Sequence, residues 1–317
     1  MYTYGPVPSR RLGRSLGVSP IPPGTCTYSC VYCQCGRTTH LTDKRVSFFP
    51  KNNLLSEIDE RLKTSDADCL TFVGDGEPTL SKDLGWLISN SKQLIKLRQV
   101  LTPDVTIPIA VITNSSLLYQ PEVRDELRAA DIALPSLDAG SEKIFNKVNR
   151  PHGRMKYDNM LQGIIDFSNE YNGKIWMEVM LVHGINDTDE ALKDIRNALN
   201  QIKHDRLYIT TPTRPPTESW VLPLPPEDVI RAQEILGQSI VINKKEIGRF
   251  GIESFDNAQQ AVLEISSRHP LRLEQAFKIE GTFSENGTVE KMIDRKELVR
   301  VLYNSTDYVL PRHLVKT

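Results

Sequence analysis

Four of the five cysteines in this 317-residue chain lie in the stretch TCTYSCVYCQCG, from Thr25 to Gly36. Thiols this crowded can form disulfides, hold a zinc ion, carry out thiol redox chemistry or hold an iron–sulfur cluster. Cys26, Cys30 and Cys33 follow the spacing C-x3-C-x2-C, which lets one short loop wrap a corner of a cubane cluster. Three thiolates leave the fourth iron open, and an open metal position is typical of catalytic sites.

The other two cysteines are predicted to lie outside such a cluster. We interpret Cys35 as a bystander, because only Gln34 separates it from Cys33 and the two side chains would point apart. The alternative is that Cys35 is a fourth ligand that closes the open iron. Cys69 begins an apolar run and is predicted to be a small core residue. Structural zinc on the four clustered thiols, or on three of them with His40, is disfavoured because zinc sites usually pair cysteines from separated elements.

The composition is that of an ordinary folded protein, with 39% hydrophobic and 25% charged residues. The formal net charge of −1 supplies no global field that would draw the chain to nucleic acid or to anionic lipid. No run approaches 18 apolar residues, and the first residues, MYTYGPVPSRRLGRSLG, contain no apolar segment of the signal-peptide kind. We therefore expect a cytoplasmic protein without membrane contacts, in a compartment where disulfides are rare.

The elements that must position the cysteines form a repeating pattern of short apolar runs and longer amphipathic stretches. Six strand-like runs are each followed by a helical pattern or a long loop, which predicts parallel strands joined by crossover helices. Such an order suits a partial parallel barrel or a doubly wound sheet, and both place chemistry at the carboxyl ends of the strands. The six runs are those near residue 14 and at 69–74, 107–113, 131–137, 174–182 and 206–210.

Unusual polar sequences follow all six predicted strands. The cysteine loop comes after the first strand, and GDGEPT, TNSS, SLDAG, HGIND and TPTRPP follow the others in turn. Because the carboxyl ends of parallel strands lie at one edge of a sheet, we expect these segments to meet around one site.

The last part of the chain changes pattern. Three short helices, at about 255–267, 270–279 and 284–294, precede a hairpin in ELVRVLYNSTDYVLP with NSTD as its turn, and this is the order of a winged-helix module. The predicted fold class is therefore α/β, with a partial (β/α)6 parallel barrel over residues 1–237 and a small winged-helix-like α+β domain over residues 238–317.

The segment CTYSCVYC resembles the C-x3-C-x-aromatic-C motif of the radical S-adenosylmethionine (SAM) superfamily, with Tyr32 as the aromatic residue. The resemblance covers roughly residues 10–225. GPVPSRRLGRSLGVSPIPPGTC before the motif and CGRTT after it resemble a subgroup related to the wyosine-synthesis enzymes of transfer RNA. The resemblance to the superfamily implies a 4Fe–4S cluster that Cys26, Cys30 and Cys33 hold in the cluster loop 26–33. It also implies SAM on the open iron, an electron donor of the flavodoxin or ferredoxin kind, and cleavage of SAM to a 5′-deoxyadenosyl radical that takes hydrogen from a substrate.

The resemblance also implies SAM contacts at the strand tips. GDGEP resembles the glycine-rich motif that holds the methionine amino group, although Asp75 stands where many members carry a small residue. Polar tip residues would meet the ribose and carboxylate of SAM, but such residues also serve as ordinary helix caps and turns. Glu178, in an otherwise apolar strand, should meet a ligand or form an ion pair with Arg150 or Arg154. The implied SAM contacts are Tyr32, Gly76, Glu77, Asn114, Ser136, Asp138, Glu178 and Asn186.

The substrate is less defined by the sequence. Mixed charges in residues 238–317 leave RNA recognition, peptide recognition and simple structural cover all open. No additional cysteines for a second cluster occur upstream of the motif, which disfavours wyosine chemistry itself. The alternatives are a glycyl-radical-type activating enzyme and a non-catalytic, zinc-stabilised winged-helix binding protein. Arginines near the predicted barrel mouth suit an anionic substrate or the SAM carboxylate, namely Arg10, Arg11, Arg14, Arg37, Arg150, Arg154 and Arg214.

Overall fold

The structure, a computed structural model, describes residues 1–100, 106–242, 246 and 248–315. Its largest sheet has eight strands in the order β1-β2-β5-β6-β7-β8-β9-β10 and curls into a half-barrel. β1 pairs antiparallel with β2, and every later neighbour in this sheet is parallel. In chain order the strands are β1 (Thr3–Ser9), β2 (Gly13–Val18), the short pair β3 (Thr25–Cys26) and β4 (His40–Leu41), β5 (Cys69–Phe72), β6 (Ile109–Thr113), β7 (Ile132–Pro135), β8 (Lys174–Met180), β9 (Arg206–Thr210) and β10 (Ile240–Ile242).

Helices connect the parallel strands and cover the outer face of the sheet. The alternation within β8 shows why the sheet has two apolar faces: Ile175, Met177 and Val179 pack in the large core with the helices, while Trp176 packs in a smaller inner cluster with Tyr208. The helices are α1 (Lys51–Thr64), α2 (Leu84–Gln99), α3 (Pro121–Leu127), α4 (Glu142–Val148), α5 (Tyr157–Glu170), α6 (Asp189–Leu199) and α7 (Pro226–Leu236).

The predicted parallel half-barrel is confirmed, and all six predicted strands are present. Among the described residues, the elements that the sequence analysis missed include the edge strand β1, the seven-residue helix α4, the three-residue strand β10 and the two-residue strands β3 and β4. β10 pairs with β9, so the large sheet extends past residue 237, where the sequence places the domain boundary. Among the described residues, no helix is both long and apolar enough to cross a lipid bilayer.

The C-terminal unit contains three helices and a three-stranded sheet in the order β11-β13-β12. The predicted hairpin is formed by β12 and β13, and its turn residues Asn304 and Ser305 are both left-handed, with φ of 45° and 55°. The winged-helix assignment itself stays a prediction. The elements are α8 (Ala258–Arg268), β11 (Leu271–Arg272), α9 (Leu273–Thr282), α10 (Thr288–Asp294), β12 (Leu298–Tyr303) and β13 (Thr306–Pro311).

The C-terminal unit packs against the barrel edge that carries β1. Tyr4 and Val7 of β1 share an apolar cluster with α8, including Val262. Beside it, the buried Asp75 carboxylate accepts a hydrogen bond from Arg268 Nε at 3.0 Å. Asp75 is the residue at which GDGEP differs from the glycine-rich motif that it resembles. Its contact with α8 gives this difference a structural reason.

We expect Asp75→Asn to destabilise the fold by about 3 kcal/mol, because removing one charge of a buried pair leaves the other uncompensated. Arg268 keeps one carboxylate partner, Glu264, at 2.9 Å, which places the effect at the lower end of the usual range. The measurement is urea-induced unfolding. Asp307→Asn is the matched control, because it breaks the exposed Arg300–Asp307 pair and should change stability little. Equal effects of the two substitutions would contradict the prediction.

Candidate functional site

The cysteine loop leaves β3 at Cys26 and is anchored against α4. Tyr28 is buried and packs edge-on against Phe145, with ring centroids 5.3 Å apart. The Val31 amide donates to the Val148 carbonyl at 3.0 Å. All five cysteines are free thiols, and the four in the loop are half-buried. The disulfide alternative therefore receives no support from this geometry.

Two asparagine amides donate to the sulfurs of the loop. Asn114 Nδ2 lies 3.5 Å from Cys26 Sγ, and Asn149 Nδ2 lies 3.4 Å from Cys30 Sγ. The backbone amide of Tyr28 also donates to Cys26 Sγ, at 3.5 Å. Burial, followed by the charge of Glu77, raises the pKa of the Cys26 thiol to about 12. Amide donors aimed at sulfur are the contacts that stabilise and tune cluster thiolates.

The spacing of the sulfurs favours a ligand larger than one ion. In the part of the chain that the structure describes, no three cysteine sulfurs lie within 4.8 Å of one another. Thiolates bound to one zinc at about 2.3 Å each would lie only about 3.8 Å apart. The donor set therefore fits a polynuclear cluster spanning Cys26, Cys30 and Cys33 better than a single metal ion.

The prediction that Cys35 is a bystander stays a prediction, although its thiol lies near that of Cys33. The interaction between the two thiols lowers the pKa of Cys33, and the same interaction together with burial raises the pKa of Cys35. Cys35 also lines a cavity of about 860 Å³ between the loop and the C-terminal unit, with Arg37, Asp75 and Leu314. Cys69 is buried at the start of β5.

Gly76 permits a close backbone approach to the cysteine loop. A Cβ at this position would lie 1.7 Å from the Thr25 carbonyl oxygen, while the next amide, that of Glu77, donates to that same oxygen at 3.2 Å. The sequence interpretation attributed the glycine to ligand approach, whereas in the structure the group nearest to it is protein backbone. Its requirement here is packing against the residue that precedes Cys26.

Glu77 is buried and its carboxylate ties two strand tips together. Oε1 accepts from the hydroxyls of Thr79 and Thr113, both at 2.6 Å. Oε2 accepts from the backbone amide of Asn114 at 2.7 Å. Burial raises the pKa of Glu77, and these hydrogen bonds oppose the rise. The same carboxylate thus fixes Asn114, whose side chain reaches Cys26.

Asp138 forms a second hub, on the opposite side of the loop. It accepts from Tyr32 Oη, from Asn149 Nδ2 at 2.8 Å and from the Met180 amide at 2.9 Å. Asn149 therefore joins Asp138 to the sulfur of Cys30. Burial raises the pKa of Asp138, and its hydrogen bonds oppose the rise.

Asn186 and Ser136 lie close to this hub but differ in how their side chains are used. Asn186 is fully buried, donates to the Asp138 and Met180 carbonyls at 2.8 Å each and accepts from the Val182 amide at 2.7 Å. Its side chain therefore joins the loop after β8 to Asp138, which follows β7. Ser136 is half-buried. Its backbone amide donates to the Thr113 carbonyl and its carbonyl accepts from the Ser115 hydroxyl, whereas its own hydroxyl forms no hydrogen bond to any described residue.

The predicted partners of Glu178 are wrong. Glu178 forms an ion pair with Arg11, which the turn between β1 and β2 carries into the half-barrel. Arg150 instead pairs with Glu218 at 2.7 Å, and Arg154 pairs with Asp43 at 2.5 Å. Of the two alternatives left open for Glu178, a ligand contact or an ion pair, the structure shows an ion pair, with a different arginine.

A proline-rich segment, residues 211–225, lies across the cysteine loop. Thr217 Oγ1 donates to the Cys33 carbonyl at 2.7 Å, and the Glu218 amide donates to the Val31 carbonyl at 3.3 Å. The Glu218 carboxylate also pairs with Arg37 at 3.0 Å. These contacts make the segment a cover for the loop. Sequence analysis missed Asn149 and Glu218 because α4 was not predicted and because a proline-rich stretch has no periodic pattern.

A parallel half-barrel with a three-cysteine loop at the carboxyl ends of its strands defines a class of protein. The family model described as the radical SAM superfamily matches residues 21–196, and the chain belongs to that superfamily. Members of this family bind a 4Fe–4S cluster and SAM, and these are the cofactors of this chain. Family membership also makes it an enzyme, of unassigned reaction class.

Relatives extend the likeness to nearly the whole chain. UPF0026 protein MJ1312 of Methanocaldococcus jannaschii is 36% identical over 95% of this chain and 93% of its own length. The solved structure of native anSMEcpe with bound AdoMet has a TM-score of 0.51 at 17% identity, over 78% of this chain and 66% of that one. Streptococcus suis SuiB, bound to the precursor peptide SuiA, has a TM-score of 0.50 at 15% identity, over 68% and 43%. At these identities the two structures support the fold alone.

Proposed function

We propose that this enzyme cleaves SAM reductively at a 4Fe–4S cluster held by Cys26, Cys30 and Cys33, and that it abstracts hydrogen from a macromolecular substrate, RNA or peptide. The observation that carries the proposal is the set of three half-buried thiols on one loop, two of which accept side-chain amide hydrogen bonds, from Asn114 after β6 and from Asn149 at the end of α4. Bound together, the cluster and SAM supply a 5′-deoxyadenosyl radical once an electron arrives from a flavodoxin-like or ferredoxin-like donor.

The residues of this chain hold, orient and shield that chemistry. Asn114 and Asn149 stabilise the thiolates of Cys26 and Cys30 through amide donors. Glu77 accepts a hydrogen bond from Asn114, and Asp138 accepts one from Asn149. Each asparagine that contacts a sulfur is therefore held in place by a buried carboxylate. The proline-rich segment and the C-terminal unit cover the outer side of the loop and limit the access of water and oxygen.

SAM contacts are proposed for the tip residues that keep free polar capacity or face the loop. Ser136 is the strongest candidate, because its hydroxyl has no hydrogen bond to a described residue. Tyr32, Gly76, Glu77, Asn114, Asp138, Glu178 and Asn186 remain proposals, and their hydrogen bonds within the protein give several of them a positioning role as well.

The C-terminal unit is proposed as a cover that borders the substrate path. Three basic residues of the unit form ion pairs: Arg268 with Asp75, Arg272 with Glu246 and Arg300 with Asp307. These pairs reduce the basic surface that the unit offers to a phosphate backbone. Gln34, inside the cysteine loop, donates to the Arg268 carbonyl at 3.4 Å, which connects the unit to the cluster site.

The test is anaerobic reconstitution with iron and sulfide, followed by reduction in the presence of SAM. We expect methionine and 5′-deoxyadenosine to appear in equal amounts by mass spectrometry. A protein that takes up one zinc and no iron would support the zinc-stabilised binding protein instead. A stable radical on a partner protein would indicate an activating enzyme.

A further inference from the structure

Three arginine side chains meet inside the half-barrel. The inference that we draw from them extends the proposed function and rests on it. Arg10 and Arg11 come from the turn between β1 and β2, and Arg214 comes from the proline-rich segment. We propose that Arg10, positioned by Arg11 and Arg214, binds an oxyanion of the substrate, a carboxylate or a phosphate group.

The turn between β1 and β2 places these side chains in the interior of the half-barrel. Leu12, next to Arg11, packs in the inner apolar cluster with Trp176 and Tyr208. Arg11 reaches Glu178 on β8, which neighbours Ser136 of β7 through an isolated bridge. Arg11 therefore lies one strand away from the strongest SAM candidate.

Arg11 and Arg214 are held by carboxylates, whereas Arg10 is not. Arg11 pairs with Glu178, and Arg214 pairs with Glu246 and donates to Gln34 Oε1 at 2.6 Å. Among the described residues Arg10 forms no ion pair, and its one hydrogen bond is to Thr213 Oγ1 at 3.3 Å. A guanidinium has five N–H donors, so most of those on Arg10 are available to a ligand.

The charges around Arg10 favour an anion. Among the described residues, Arg11, Arg214 and Arg272 pair with three carboxylates, those of Glu178, Glu246 and Glu274, so Arg10 is one guanidinium in excess. His269 adds no charge, because burial and Arg214 hold its pKa well below the usual range. Burial and the neighbouring Arg214 lower the pKa of Arg10 to about 10, and the charge of Glu246 opposes part of this shift.

The contacts of Arg10 place it near the carboxyl ends of the strands. Arg10 contacts Thr213, which follows β9, and the next residue, Arg214, donates to Gln34 of the cysteine loop. A substrate that enters the half-barrel could place its anionic group on Arg10 and its reacting carbon toward SAM. The planar guanidinium fork suits carboxylate and phosphate, both of which it binds through two hydrogen bonds.

The experiment is isothermal titration calorimetry of anion binding to the anaerobically reconstituted holoenzyme, saturated with SAM and without reductant. The probes are inorganic phosphate and acetate, in separate arms, and the tighter anion identifies the source of the oxyanion. We expect Arg10→Gln to weaken binding of that anion by at least about tenfold, the loss of one charged hydrogen-bonded contact. Arg10→Lys keeps the charge without the fork and should lose less.

Arg14→Gln is the matched control, since Arg14 lies on the same hairpin but is exposed and paired with Asp66 and Asp68. It should leave anion binding unchanged. The inference is overturned if neither anion binds, if Arg14→Gln weakens binding as much as Arg10→Gln, or if the anions bind only when SAM is absent. The proposed function fails on a separate result: a wild-type protein that carries its cluster but does not cleave SAM. The calorimetric measurement of anion binding does not depend on that cleavage, so the two failures can be told apart.

Discussion

Replacing Cys26, Cys30 or Cys33 with alanine will remove the bound cluster and reduce SAM cleavage to background, whereas Cys69→Ala will leave both in place. Each of the first three thiols supplies one iron ligand in the proposed site, so losing any one of them leaves two ligands where the cluster needs three. Cys69 is buried in the sheet, so its loss removes a small core side chain only. Iron and acid-labile sulfide per chain, with methionine release, are the quantities to measure.

Cys35→Ala is the more informative control, because Cys35 belongs to the same loop and contacts Cys33. If Cys35 is a bystander, this variant retains its iron and its activity. Loss of iron from Cys35→Ala as complete as from Cys30→Ala would contradict the three-ligand account. Circular dichroism of each variant should show an unchanged fold.

Gly76→Ala is expected to displace the cysteine loop and to lower iron content strongly, with a destabilisation of about 3 kcal/mol or more. The added methyl group would lie 1.7 Å from the Thr25 carbonyl oxygen and 2.6 Å from the Thr25 carbonyl carbon, both of them backbone atoms that cannot move aside as a side chain would. Overpacking of this kind typically costs about 1–3 kcal/mol even where side chains can adjust. Iron content and urea-induced unfolding are the measurements.

Gly153→Ala is the control for Gly76→Ala, because a Cβ at Gly153 meets no atom within 4 Å. It should retain full iron content and wild-type stability. An iron content for Gly76→Ala equal to that of Gly153→Ala would show that the close contact does not position the loop.

The sequence allowed the parallel half-barrel and the location of its site to be predicted, because both follow from local patterns. Long apolar runs mark strands buried on both faces, and polar segments after them mark the carboxyl edge. The short elements α4 and β10 were missed because seven and three residues carry too little periodicity.

The contacts between the site residues could not be predicted in the same way. The Arg11–Glu178 pair depends on how a hairpin turn enters the half-barrel, and either Arg150 or Arg154 was an equally reasonable partner by residue type. The packing of Gly76 against the Thr25 carbonyl could not be predicted from the glycine motif, because the group that approaches the glycine depends on tertiary packing. The role of Asp75 likewise depends on its ion pair with Arg268, a residue that is distant in the sequence.

The claim on which the whole account depends is that Cys26, Cys30 and Cys33 leave one iron free for SAM. The most direct measurement is the electron paramagnetic resonance spectrum of the reduced cluster with SAM whose carboxylate carries oxygen-17. We predict hyperfine broadening from the labelled oxygen, in the wild-type protein and in Cys35→Ala alike. A spectrum that SAM leaves unchanged in a fully loaded protein would show that a side chain occupies the fourth iron, and would contradict the account.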